Sequence, residues 1–227
     1  MIYKGIGELE VEVRSILAFD QPELIVSTVN RKVVAEGIYY LHPQNKELDR
    51  SGGALARYSI RLEISRQFPH VEPKVFETAG VFPRTANFHV NADGSCCITV
   101  WEAWCATASP VSVAKYFDGP LRNYLLGQYV RKETGKWPFE EWEHGYDGLL
   151  RAYAEALGVN ADTKDVTEIL LLLAQQWPKG HWQCPCGSGR TLRLCCIDRL
   201  YRLHAHVSPD LAKRMLTRLE MYREKLK

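Results

Sequence analysis

Apolar and polar positions divide the chain into a β-rich early part and a helical remainder. In ALARYSIRLEIS, Tyr58, Ile60, Leu62 and Ile64 alternate with polar neighbours, the period-two pattern of a strand with one buried face. The earlier run RKVVAEGIYYL, from Arg31, is rich in β-branched and aromatic residues and predicts an adjacent strand. Between them, HPQNKELDRSGG is polar and ends in two glycines, as an exposed turn joining antiparallel neighbours would. A further strand is expected in PKVFETA at 73–79, after the connector FPHVEP, whose Pro69 and Pro73 cannot donate to a ladder. Ahead of these, 8–18 is amphipathic; its ELEVEV start fits helix or strand, and helix is the reading adopted.

After residue 79 the run VFPRTANFHVNADGSCCITVWEAW has little periodicity and much turn chemistry, which marks a long ordered loop, the usual location of function. Helical spacing returns over 111–130 through Val113, Tyr116, Phe117, Leu121, Tyr124 and Leu125, with Pro120 expected to kink or restart the helix. A loop follows, then helices at about 147–158 and 163–176, the WPKGHW hinge, and one or two basic helices to the end. Trp137, Pro138, Trp142, His144 and Gly145 form a dense group read as core packing for the helical extension, with a groove edge as the alternative.

With 227 residues, six tryptophans, eleven tyrosines and 25% charged residues, the chain has enough apolar surface to offset its ordering entropy, which excludes a disordered protein. The N-terminus lacks the basic-then-apolar pattern of a secretory signal, and the longest apolar run, 169–174, is too short to span a bilayer. A cytoplasmic setting with no membrane partner is expected. Residues 181–227 hold ten Lys/Arg against four Asp/Glu; with Glu at helical spacing nearby, this reads as a solvated helix face rather than a nucleic-acid surface.

Seven cysteines, six of them in or beside two tight clusters, do not have the spacing of a disulfide framework. In CPCGSGRTLRLCC, Cys184 and Cys186 are one residue apart, and Cys195 and Cys196 are adjacent after eight intervening residues. Four soft ligands in a short span suit tetrahedral zinc, and a site closed by four protein ligands is structural. Gly187 and Gly189 allow the tight turn behind the first pair. The string resembles the SEC-C motif, with Cys196 where some members have histidine.

Cys96 and Cys97 are the other cluster. In an extended segment they cannot both face one groove, because successive side chains point to opposite faces. The order of features is similar to the ubiquitin-conjugating (UBC) family: meander strands, a proline-bearing connector, a loop with His, Asn, Gly and Cys, a later tryptophan, then a helix. His89, Val90 and Asn91 fall where that family has His-Pro-Asn, with Gly94 next, Cys97 three residues later, Ile98 in the usual Leu position and Trp104 as the later tryptophan. Val90 replaces the proline, and the span from Asn91 to Cys97 is shorter than usual.

The resemblance implies an α+β fold: a UBC-like antiparallel meander sheet flanked by helices, with a helical extension and a small zinc-binding C-terminal module. The expected segments are 1–130, 131–180 and 181–227. It also implies a transferase that carries a partner's C-terminal carboxyl as a thioester on Cys97, with Cys96 the less favoured nucleophile and Asn91 the amide donor to the transition-state oxyanion. His89 is read as structural and Cys105 is given no role. No Gly-rich phosphate loop is present, so either something else, such as an activating enzyme in trans, supplies the activated donor, or the reaction differs from the family's. Pairing with SEC-C is similar to prokaryotic ubiquitin-like and CBASS antiphage systems, which implies a cGAS-like nucleotidyltransferase as donor and a lysine-bearing target. The competing readings are a non-catalytic scaffold and a redox sensor, the latter requiring a strained vicinal disulfide.

Overall fold

The alternation in the early strands builds a four-stranded antiparallel sheet, ordered β1-β2-β3-β4. The computed structural model describes residues 3–43, 53–139, 145–175 and 177–225. The strands are β1 (Leu24–Val29), β2 (Lys32–Leu41), β3 (Ala56–Ser65) and β4 (Lys74–Glu77). Tyr58, Ile60, Leu62 and Ile64 are buried, as their period-two spacing predicts. The other face is solvated and carries cross-strand pairs: Arg61 meets Glu36, its partner in register, at 2.8 Å, and Lys32 meets Glu63 at 2.8 Å. Strand β1 lay outside the sequence reading, because LIVSTV exposes Ile25 and has four polar or exposed positions in six. Most of the turn between β2 and β3 falls outside the described residues.

Helix α1 (Ile6–Asp20) places Leu9, Val13 and Leu17, at i, i+4 and i+8, against β1 and β2. Just past its end, buried Gln21 solves a local pairing problem. The β1–β2 ladder stops at Leu24↔Gly37, so Tyr40 has no β1 partner; the Gln21 side chain accepts from the Tyr40 N–H at 2.6 Å and donates to its carbonyl at 2.9 Å. Gly37 itself has φ +142°, and a Cβ there would lie 2.0 Å from the Glu23 carbonyl oxygen.

The helical pattern at 111–130 resolves into α3 (Val113–Tyr116), a π-helical turn (Phe117–Leu121) and α4 (Arg122–Thr134), written after α2 (Trp101–Thr107). Pro120 lies within the π turn, where a wider turn accommodates the proline that would clash in a regular α-helix. Val113, Tyr116, Phe117, Leu121, Tyr124 and Leu125 are all buried. Helix α2 was not anticipated; it emerges from the end of the aperiodic loop and buries Trp101, Ala103, Cys105 and Ala106.

The remaining helices are α5 (Tyr146–Leu157), α6 (Thr163–Leu173), α7 (Ile197–His204) and α8 (Pro209–Glu224). Asp162 caps α6 through the N–H groups of Lys164 and Asp165, and Ser208 caps α8 ahead of a proline in its first turn. The chain forms two compact units: 1–99 with 111–140, and 100–110 with 141–227. These do not coincide with the contiguous segments 1–130, 131–180 and 181–227: α2 groups with the C-terminal helices. There Glu102, 9% exposed, accepts from the Tyr153 hydroxyl at 3.1 Å and pairs with Arg218 at 2.6 Å. Among the described residues no helix is long and apolar enough to cross a membrane.

Replacing Gly37 with alanine forces its Cβ into the Glu23 carbonyl; the expected loss is about 3 kcal/mol of stability, read as a lowered urea midpoint at constant slope.

Candidate functional site

Residues 89–97, aperiodic in sequence, fold as a small β-hairpin. Asn91 N–H donates to the Ser95 carbonyl at 2.8 Å and Cys97 N–H to the His89 carbonyl at 2.7 Å, which makes Val90 and Cys96 the facing pair between them. Gly94, at φ +84°, closes the turn, and a Cβ there would come within 3.3 Å of the Arg84 guanidinium. The second arm also docks on the sheet: Cys96 N–H donates to the Val75 carbonyl at 2.7 Å, and Ser95 bridges Phe76.

That docking sets the fate of the two thiols. Cys96 points inward and is 8% exposed; Cys97, one residue on, is exposed. Burial pushes the Cys96 thiol up to about 11, although the Tyr124 hydroxyl beside it favours the thiolate. Tyr124 reaches the carbonyls of Phe88 and His89 at 3.3 and 3.2 Å, and Gln128, one helical turn further along α4, donates to the Phe88 carbonyl at 2.7 Å and to Tyr124 Oη at 2.9 Å. Sequence reasoning gave Tyr124 only a helix-face role and missed Gln128; the i, i+4 spacing of two polar-tipped residues on a buried helix face was the available signal.

Asn91 shares the hairpin with Cys97, but its amide nitrogen donates to Ser95 Oγ at 3.0 Å. Ser95 in turn donates its hydroxyl and its N–H to Asp93, at 2.5 and 3.0 Å, and Lys74 bonds the other Asp93 oxygen at 3.0 Å. These donors, Ser95 first, hold the Asp93 carboxyl well below the usual carboxylate range. Asn91 is thus a turn-stabilising residue in this conformation.

His89, in a left-handed conformation, packs against Trp137 with ring centroids 4.4 Å apart and planes tilted by 42°. Trp137 lies over α4 at Gly127, where a Cβ would be 2.4 Å from the indole. It therefore borders the hairpin in the first unit and does not fill the core of the helical extension; Trp142 and His144 lie outside the described residues. Trp104 lies on α2 in the second unit.

The other cysteine cluster is brought together by a second tight hairpin. Cys184 N–H donates to the Arg190 carbonyl and Leu192 N–H to the Trp182 carbonyl, at 2.9 and 2.8 Å, around Gly187 and Gly189, both at positive φ. A 3-10 turn (Leu192–Leu194) then delivers Cys195, and Cys196 is the N-cap of α7, where the helix dipole favours an anion. The four Sγ atoms lie within 4.8 Å of one another, with Cys184–Cys186 and Cys186–Cys195 at 3.3 Å and Cys195–Cys196 at 3.6 Å. Sulfurs around a tetrahedral zinc stand about 3.8 Å apart, a spacing close enough to this one that the four cysteines could hold a metal ion.

Without the metal the thiols resist ionising together. Burial pushes Cys184 up and Cys196 up to about 12, whereas hydrogen bonds, that of the Ser188 hydroxyl first, bring Cys186 down to about 6. A divalent cation held among them would favour the thiolates that burial disfavours. Ser188 Oγ and Arg190 Nη2 also approach Cys195 Sγ, at 3.3 and 3.6 Å; neither was singled out from sequence, although both lie inside the motif. A cleft of about 340 Å³ opens beside Cys186 and Cys196, lined also by Asn160, Asp165, Ile169 and Arg199.

No family model, no curated protein and no solved structure matches this chain.

Two expectations follow. Because its folded-state pKa is raised, Cys96 contributes stability that is complete below the ordinary thiol value and lost as pH rises from about 9 to 11; a Cys96→Val variant should lose less stability over that range in urea titrations. Cys184→Ala, or chelation of the wild type, should cut bound metal several-fold by elemental analysis and lower the melting temperature, since a metal held by the four cysteines would contribute folding free energy.

Proposed function

We propose that this chain is a UBC-like conjugating transferase that carries a protein's C-terminal carboxyl as a thioester on Cys97 and passes it to an amine. The observation behind this reading is the hairpin docked on β4, which buries Cys96 and leaves Cys97 at the surface, directly after a helix and a four-stranded meander. An exposed thiol can be a thiolate near neutral pH and attack an acyl group.

In loading, Cys97 Sγ forms a bond to the donor's carbonyl carbon and the activating group leaves. An amine then attacks the same carbon, the C–S bond breaks, the amine loses a proton and the thiol is regained. The chain has no phosphate-cradling loop, so the activated donor comes from another protein. Setting the reaction in bacterial antiphage signalling, with a cGAS-like nucleotidyltransferase as donor and a lysine as acceptor, rests on the UBC and SEC-C resemblances. In the same reading the cysteine cluster is a structural zinc site of SEC-C type, held by Cys184, Cys186, Cys195 and Cys196, and the metal supplies rigidity to a tail with little core of its own.

One observation favours the second reading, a non-catalytic scaffold that binds a partner. One N–H of the Asn91 amide is engaged by Ser95 Oγ, which ties the expected oxyanion donor to the turn.

Intact mass spectrometry of the protein from native-host lysate, without reductant, separates the two. Wild type should carry a thiol-labile adduct whose mass identifies the donor; Cys97→Ser should carry a thiol-resistant ester or none, and Cys97→Ala none, while both variants keep the wild-type melting temperature. Absence of any adduct on wild type, with donor and activator present, would select the scaffold.

A further inference from the structure

The second unit carries an aromatic stack at its surface. Trp177 is 66% exposed, and its indole lies on the His204 imidazole with centroids 4.8 Å apart and planes 13° from parallel. Tyr201, 45% exposed and nearly one turn earlier on α7, meets the same indole edge-on at 6.1 Å. His204 Nε2 lies 3.3 Å from the Gln175 carbonyl, which fixes the ring beneath the indole. A tryptophan that serves core packing is normally withdrawn from water. Here one face is backed by a ring and most of the remaining surface is open.

The segment that carries this stack is rich in exposed cations. Lys179, Arg193 and Arg202 are exposed. Arg193 runs along Gly180, next to Lys179, with its N–H bonded to the Gly180 carbonyl at 2.9 Å. Arg202 follows Tyr201 directly. Residues 177–207 contain five Lys/Arg and a single acid, Asp198, so the segment stays positive even with a divalent ion held by four thiolates.

We infer that this surface binds single-stranded nucleic acid: a base stacks on the open face of Trp177, and Lys179, Arg193 and Arg202 take the neighbouring phosphates. A rigid ring platform flanked by cations is the combination that holds unpaired strands with little regard to sequence, because every base offers a π face and every nucleotide a charge. A duplex offers no free base face to the indole, and an anionic bilayer would call for several apolar residues, whereas among the described residues of 177–207 Leu194 is the one exposed large apolar side chain besides Trp177 and Tyr201 themselves. This departs from the reading of the basic tail as a plain solvated helix face. That reading concerned residues from 181 onward and left out Trp177, which supplies the platform.

Fluorescence anisotropy of the full chain with a labelled oligothymidylate tests the inference without any conjugation reaction. Wild type should bind and weaken at least about tenfold between roughly 50 and 200 mM salt. Trp177→Ala should weaken binding about tenfold and Trp177→Phe much less, while the double change Arg193→Gln with Arg202→Gln should flatten the salt dependence. Unchanged metal content and melting temperature would certify that each variant is folded. No binding by wild type at low salt overturns the inference, as does equal binding by Trp177→Ala. Tighter binding to a duplex of the same length, or retention on phosphatidylglycerol vesicles without oligonucleotide binding, overturns it as well.

Discussion

The hydrogen bond from the Cys96 N–H to the Val75 carbonyl ties the candidate site to the fold. It makes the second arm of the 89–97 hairpin an addition to β4, and an added strand inherits the two-residue alternation of the sheet. One thiol must then enter the core and its neighbour must leave it. A slip of one residue would exchange them, and the opposing Val90, buried at 7% exposure, resists that slip because it would have to surface too. Tyr124 and Gln128 hold the other arm by the carbonyls of Phe88 and His89, so both arms are fixed from beneath by groups that water does not reach.

The second unit obtains its order differently. Around α2, α5, α6 and α8 it has a packed core with a largely buried ion pair at Glu102, Arg218 and the Tyr153 hydroxyl. Beyond α6 the chain buries few side chains until α8, and the hairpin at 182–192 has little apolar support apart from Leu192. The four sulfurs are gathered there, where two turns and a helix start converge, and a metal ion held by them would compensate for that thin core. Glycines with positive φ on one side and a helix N-terminus on the other bring the donors together.

Much of this was legible in the chain. Alternation at Tyr58, Ile60, Leu62 and Ile64 announced β3, and Pro120 announced an interruption of the helix, which takes the form of a π turn in place of the expected kink or restart. The cysteine cluster assembled as its spacing required, because short loops with glycines allow few other geometries. What escaped were features decided by distant partners. Strand β1 is mostly exposed and shows its pairing only through β2; the hairpin at 89–97 exists because β4 offers it an edge; Asn91 turned toward Ser95 because a turn residue finds its nearest polar neighbour first. Trp137 was read as a core residue of the helical extension, since a cluster of tryptophans has no way to signal in sequence that the glycine awaiting it, Gly127, lies ten residues back on α4.

The two compact units are threaded through one another along the sequence: the chain leaves the first after Thr99, returns at Val111 and leaves again after Glu140. Trp101, 1% exposed, and Glu102 belong by packing to helices more than forty residues downstream. A lineage that gained or exchanged the cysteine-bearing half by a single recombination joint would strand these residues without their partners. No single cut along the sequence therefore separates one unit from the other.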